Sequence, residues 1–262
     1  MKRYTYFRAL IAAFHSKPFY EEVTLTWKGT GIAYLLFLSS FCSIPYTLEI
    51  NHFYVEFIDK KFPVYIQDFP EIEIKDGQAR VSVEQPHYLK HEDKVFAIID
   101  TTGKITSIEN SEAFVLITRN HILIKRPQLP THSLNLKDFG SFRLTKQGLL
   151  KSAVSLKPII PYLIYPFFLL SFFLLHLVQL FFFSIIGLSL AAARRSSQIT
   201  YRDIFRLSSV AMTPSILIKT FFDYTEINFY LLWLFYFVVA AAYIGLAVHT
   251  GILLKEQKSD SV

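Results

Sequence analysis

One cysteine, Cys42, is all that this chain of 262 residues contains, and from Pro158 to Ala193 it has no Asp, Glu, Lys or Arg. A single cysteine excludes an intrachain disulfide, so any folded region must be held by its own apolar core. Asn-X-Ser/Thr is absent throughout. Both absences fit a bacterial envelope protein. There is no HExxH, no Gly-rich phosphate loop and no GxSxG, so zinc-protease, nucleotide and hydrolase chemistry have no anchor. No catalytic residue and no cofactor is assigned, and the chain reads as a non-enzyme. Cys42 lies inside an apolar run, a poor setting for a reactive thiolate.

The missing charge is the positive signal. About 20 apolar residues at ~1.5 Å rise cross a bilayer, and the uncharged run of 158–193 exceeds that before Arg194-Arg195 closes it. The chain is therefore read as an integral membrane protein, with the lipid bilayer as its first partner. The net charge of +6 does not point to nucleic acid. Residues 51–157 hold fifteen Lys/Arg against thirteen Asp/Glu, and the surplus lies beside the apolar runs, where positive charge sets topology.

Four spans are expected. The first lies in 29–50, with its apolar run at Gly31–Leu48 and Pro45 towards the far end. The second lies at about 163–190, its regular helix starting between Pro161 and Pro166, since proline fits the first helical turn. The fourth lies at 229–254. The third, at 207–222, is short and interrupted by Thr213-Pro214, with Lys219 snorkelling to extend it. Lys2, Arg3, Arg8, Lys17 and Lys28 precede the first span. Arg194, Arg195, Arg202 and Arg206 fill the loop after the second, and Lys255 and Lys258 follow the fourth. Four crossings put all three basic regions on one side. Residues 1–28 and 255–262 are then cytoplasmic and 51–157 periplasmic, in the inner membrane. The N-terminus is not read as a cleavable signal peptide. In Tyr4–Ser16, the residues Phe7, Leu10, Ile11 and Phe14 fall on one helical face. That face either lies on the inner leaflet or packs on the protein's own loops.

Residues 51–157 read as a small β-rich domain of five or six strands. Glu71–Lys75 and Gln78–Glu84 flank Asp76-Gly77, a hairpin signal. Val95–Asp100 is a compact apolar strand, and Ala113–Thr118 with His121–Lys125 forms a second hairpin about Arg119-Asn120. Arg126–Gly140 reads as turn-rich. Thr145 is placed as the N-cap of a helix through Ser155. The fold class is thus an α-helical polytopic membrane protein of four transmembrane helices, with an inserted β-rich extracytoplasmic domain.

Several side-chain groupings stand out. Asp100-Thr-Thr-Gly103 resembles an aspartic-protease loop, but it is one residue too long and present once, where that chemistry needs two carboxylates. It reads as a strand-ending turn. His87 and His91, followed by Glu92-Asp93, are the residues nearest to a metal-ligand spacing. They would share a face only on a helix, and the segment reads as a loop, so no metal is assigned. His176 and Gln179 sit one helical turn apart within the second span. There they mark either a proton or ligand path or an interhelical hydrogen bond. Neither His249 nor Lys219 is expected level with His176. Gly187 with Ala191, and Ala241 with Gly245, form small-xxx-small pairs that favour close packing of the second and fourth spans.

FPEIEIKDGQARVSVEQP followed by VFAIIDTTG, set between an amphipathic N-terminus with one span and a Pro-rich multi-span tail, resembles a bacterial inner-membrane family known as domain of unknown function 1189. Some members carry a maltodextrin-utilisation label. The spans also look loosely like the Yip-type membrane superfamily. The resemblance implies topology and an envelope setting, and it brings no catalytic or binding residues. The expected role is an envelope adaptor or assembly partner acting through 51–157 on another envelope protein or a second copy. The alternatives are a transport component using His176 and Gln179, and a sensor of an extracytoplasmic ligand.

Overall fold

The protein is described by a computed structural model covering residues 4–91, 94–194 and 198–259. Lys2, Arg3, Glu92, Asp93 and Arg195, and the Lys258 side chain, lie outside the described residues. The chain divides into two compact units. One is built from residues up to Ile50 and from Pro161 onward, and the other from Asn51–Ile160.

Among the described residues, the first unit begins with α1 (Tyr6–Ala12) and α2 (Lys17–Leu25), N-capped by Thr5 and Ser16. Ala9, Ala12 and Ala13 of the first turn of chain face the core with Leu10, while Phe7 and Ile11 stay exposed. The apolar face expected from Phe7, Leu10, Ile11 and Phe14 is therefore split. Leu10 is buried, whereas Phe7 and Phe14 stay partly exposed while their rings meet Phe37 and Tyr243 of the same unit. Rings from Tyr6, Phe19, Trp27 and Tyr34 meet at centroid separations of 5.4–5.9 Å, which fixes this segment on α3 (Ile32–Glu56).

Among the described residues, three helices are long and apolar enough to cross a membrane. They are α3 with its continuation to Tyr65, α6 (Ile160–Ala193) and α9 (Leu232–Ser259). The α6 helix starts at Ile160, earlier than the Pro161–Pro166 window, and it carries Pro166 inside the helix. Pro161 sits where a first-turn N–H has no intrahelical partner, so its ring costs nothing there. The buried residues of α6 are His176, Leu180, Phe183, Ser184, Gly187 and Ala191. Their three- and four-residue spacing is one stripe of the helix, and the other faces are exposed Phe, Leu and Ile.

The 207–222 segment is two helices, α7 (Tyr201–Ala211) and α8 (Thr213–Tyr224), joined through Met212 in helical conformation. From Asp203 to Ile216 every residue is buried. This is the innermost segment of its unit, which explains a composition rich in serine, threonine and ionic residues. A helix that touches only protein needs no apolar face for lipid. Glycines from three neighbours allow the close approach. A Cβ on Gly31 would lie 1.9 Å from Ser209 Oγ, one on Gly187 2.7 Å from Ile204 Cγ2, and one on Gly251 2.9 Å from Leu207 Cδ1. Tyr34 Oη and Thr213 Oγ1, 2.8 Å apart, add a buried polar tie from α3.

In the second unit, α3 ends and a π-helical turn (Phe57–Lys61) leads to α4 (Phe62–Tyr65). Among the described residues, eight strands then make two sheets: β1 (Ile72–Lys75), β2 (Gln78–Val81), β3 (His87–His91), β4 (Lys94–Asp100), β5 (Val115–Thr118), β6 (His121–Arg126), β7 (Leu129–Asn135) and β8 (Phe142–Leu144). The order is β2-β1-β8 in one sheet and β3-β4-β5-β6-β7 in the other. Asp76 and Gly77 both take positive φ, as a two-residue hairpin demands, and Lys75 pairs with Gln78. β4 and β5 pair in parallel. Ala97, Ile99 and Ile117 join one core with Ile72 and Ile74, while Ile98 and Leu116 join another with Ile108. Strands buried on both faces give a continuous apolar run, which is why VFAIID stands out.

Two regions differ from the sequence expectation. His87–His91 is an edge strand, and Arg126–Gly140 contains β7 and a 3-10 turn (Leu136–Phe139). Both strands are outermost in the sheet. β7 is largely exposed, and β3 alternates in burial but has histidines on either side of its one buried residue, Leu89, so neither shows the apolar alternation that reveals a half-buried strand. Thr145 caps α5 (Lys146–Leu156) by accepting a hydrogen bond from Gly148 N at 3.0 Å.

Gly31→Ala tests the central packing. It forces an L-residue into φ +84° and places a methyl against Ser209 Oγ and, at 3.3 Å, the Arg206 Cα. Strain and overpacking of this kind each cost about 1–3 kcal/mol. The expected outcome is a clear fall in melting temperature in detergent, and an unchanged value would contradict the contact.

Candidate functional site

His176 lies on the inward stripe of α6 and is 6% exposed. Its Nδ1 is 3.0 Å from Ser39 Oγ of α3, and both side chains are buried. The bond ties two apolar helices together and leaves Nε2 without a partner among the described residues. His176 also lines a partly open cavity of about 400 Å³ between α6, α8 and α9. Gln179, one turn further along α6, lines the same cavity. It is half-buried and has no hydrogen-bond partner among the described residues. Tyr236 of α9 lines it too, and its hydroxyl is buried and unpaired. Phe182, Phe183, Ile216 and Phe237 supply apolar wall.

Lys219 is also in this cavity wall. The sequence reading sets it off from the level of His176, and the structure places both side chains in the wall of one cavity. Ser215, Ile216 and Lys219 share one face of α8 by their i, i+1, i+4 spacing, and that face is turned to the cavity. Lys219 pairs with Asp223, which also accepts a hydrogen bond from Tyr46 Oη at 2.5 Å. The lysine charge is thus already compensated. Ser215 Oγ donates to the Tyr236 carbonyl at 2.8 Å, holding α8 on α9. His249, by contrast, is bonded by Arg194.

The remaining sequence-selected residues fall elsewhere. Gly187 lies against Ile204 and Val248, whereas the nearest neighbour of a Cβ on Gly245 is Leu190 Cδ1 at 3.9 Å. Ala191 is buried and Ala241 half-buried. His87 Nε2 meets the Asp68 carbonyl at 3.1 Å, and His91 stacks on Tyr65 at 4.2 Å. Four residues apart on a strand they stand ~13 Å from each other along the chain. No group of three or more His, Cys, Asp or Glu able to hold a metal occurs among the described residues. Asp100 is fully buried. Its Oδ1 accepts from Thr102 N at 2.9 Å and Thr102 Oγ1 at 2.5 Å, and its Oδ2 from Ile105 N at 2.6 Å. Burial alone would raise this carboxyl, but the hydrogen bonds from Thr102 and the Ile105 and Lys104 amides outweigh it and hold it below the usual range. Both oxygens are spent on closing a turn.

A second polar cluster lies at the other end of α7. Asp203 Oδ1 accepts from Arg206 Nη2 at 2.7 Å, and Oδ2 from Thr200 Oγ1 at 2.8 Å and from Lys255 of α9. Asp203 N donates back to Thr200 Oγ1, completing a capping box. Arg206, 5% exposed, also donates to the Thr24 carbonyl at 3.1 Å and the Gly29 carbonyl at 3.3 Å. One carboxylate thus joins α2, α7 and α9 through its partners.

Asp203→Asn tests this cluster. It leaves Arg206 and Lys255 without their carboxylate, at a cost of about 3–5 kcal/mol. The expected outcome is a clear fall in melting temperature in detergent at neutral pH, and an unchanged value would contradict the ionic contacts.

Comparison with known proteins places few further constraints. A family profile described as protein of unknown function (DUF1189) matches residues 7–248, nearly the whole chain. An uncharacterised protein of Rickettsia prowazekii (strain Madrid E) is 27% identical over 133 residues, which are 46% of this chain. The match covers 46% of that relative, so the chain spans about half its length. No solved structure matches.

Proposed function

The chain belongs to the DUF1189 family, and from that premise we propose that it is a non-enzymatic, membrane-embedded binding component with four crossings in a bacterial inner membrane. Its termini are cytoplasmic and the β-rich unit is periplasmic. The crossings are α3, α6, α7–α8 taken together, and α9. Helices α7 and α8 with Met212 total about 24 residues, roughly 36 Å of rise against a ~30 Å hydrocarbon core. The basic residues at 8–28, 194–206 and 255 then share one side.

The observation that carries the binding role is the cavity of His176, Gln179 and Tyr236. Its size falls within the range of small-molecule sites, about 300–1,000 Å³. Polar groups without partners among apolar helices are expensive, and a bound molecule relieves that cost. The role is the holding or carrying of a small molecule within the membrane.

A second reading, an adaptor working through the periplasmic unit, is favoured by the β6–β7 ribbon. β7 pairs only with β6 and is mostly exposed on both faces, so its outer edge offers unpaired backbone to a strand of another envelope protein or a second copy.

Two measurements check the proposal. In a Cys42→Ser background, a single cysteine at Glu226, between α8 and α9, should react with a membrane-impermeant maleimide in intact spheroplasts. Reaction only after permeabilisation would defeat the four-crossing topology. For the binding role, native mass spectrometry of protein drawn from its own membrane should reveal a small-molecule adduct. Ala240→Phe, which fills the cavity, should reduce the adduct about tenfold or more. Identical spectra from the two proteins would remove the binding reading.

A further inference from the structure

The mouth of the cavity points to where its occupant comes from. Phe182 of α6 and Trp233 of α9 border it and are 67% and 68% exposed. Both lie on charge-free helical surface, the kind that faces acyl chains rather than water. The opening is therefore lateral, through the wall of apolar helices. A molecule entering this way is already dissolved in the bilayer.

The interior selects the head of that molecule. Three polar groups are available: His176 Nε2, the Gln179 carboxamide and the Tyr236 hydroxyl. The carboxamide both donates and accepts, as does the hydroxyl. The cation on the wall, Lys219, is neutralised by Asp223, whose Oδ2 also accepts from Tyr46. An anionic head would find no uncompensated positive charge, and a cationic one no free carboxylate, among the described residues lining the site. Either would be stripped of water without repayment. Hydroxyl and carbonyl groups match what is offered.

Resting on the binding reading above, we propose that this cavity takes an uncharged amphiphile from the lipid phase. Its hydroxyl- or carbonyl-bearing head is seated between His176, Gln179 and Tyr236, and its chain leaves past Phe182 and Phe237. Ser39 acts as a positioning residue, since its hydroxyl at 3.0 Å from Nδ1 fixes the imidazole so that Nε2 faces the head.

Trp233 at the mouth is a built-in reporter, one of two tryptophans in the chain. The other, Trp27, is buried in the N-terminal aromatic cluster, and a Trp27→Phe background removes its emission. The full-length protein is reconstituted in phosphatidylcholine vesicles with a small fraction of a brominated lipid. The two probes are dibromostearoyl diacylglycerol and the phosphatidic acid with the same chains, which differ in head charge. The expected result is that diacylglycerol quenches Trp233 at a lower mole fraction than brominated phosphatidylcholine does, with phosphatidic acid showing no such preference. Gln179→Leu and the conservative Tyr236→Phe should each weaken the preference about fivefold, the effect of one hydrogen bond, and Ala240→Phe should abolish it.

If phosphatidic acid is preferred and Ala240→Phe removes that preference, the cavity binds but the uncharged class is wrong. If all three lipids quench alike in wild type and in Ala240→Phe, there is no site and the binding reading falls with it. If the preference for diacylglycerol survives both Tyr236→Phe and Gln179→Leu, the assigned head contacts are overturned.

Discussion

Everything in the helical unit is arranged around a segment that lipid would not accept. Helices α7 and α8 carry Asp203, Arg206, Ser208, Ser209, Thr213 and Ser215, and a helix so polar is stable at membrane depth only when other helices surround it. The ionic knot at Asp203 secures one end, with α2 and α9 held through Arg206 and Lys255. The Tyr34–Thr213 bond and the Ser215–Tyr236 bond secure the middle. Gly31, Gly187 and Gly251 bring the neighbouring backbones close enough for those bonds to form. Removing lipid contact is what makes the polar composition affordable, and the polar composition in turn fixes which helices meet.

The cavity is a by-product of the same arrangement. Met212, Ser215, Ile216 and Lys219 do not fill the space between this segment and the facing residues of α6 and α9, and His176, Gln179 and Tyr236 are left lining it. His176 is tolerated at the centre of a charge-free helix because its stripe is turned to protein and Ser39 takes one nitrogen.

Much of this was legible in the sequence. The charge-free runs mark α6 and α9, Asp76-Gly77 marks the first hairpin, and Thr145 marks the start of α5. Each of these signals is local: a window of hydropathy, a turn dipeptide, a cap. His176 and Gln179 were also visible, since polar residues in an apolar helix are conspicuous. Tyr236 and Ser39 were not, because neither stands out within its own span, and their relation to His176 exists only once helices far apart in the chain have packed. That Lys219 shares a cavity wall with His176 was not legible, because only depth along a span was counted and not the face of α8. Arg206 reads in sequence as a topology signal, yet it is an internal structural group bonded to three elements. Strand β7 was missed because outermost, two-sided exposure erases the alternation by which strands are recognised, and β3 because its inward positions beside Leu89 are histidines.

The burial of α7–α8 bears on how the chain is made. Synthesis delivers α6 before this segment and α9 after it, yet the glycines and the lysine that receive α7 come from both sides of it in the chain. On the four-crossing reading, α7–α8 has no acceptable surroundings until α9 has emerged. The helical hairpin must then enter the bilayer together, and a nascent chain halted before Leu232 would leave its serine-rich helix waiting at the membrane surface.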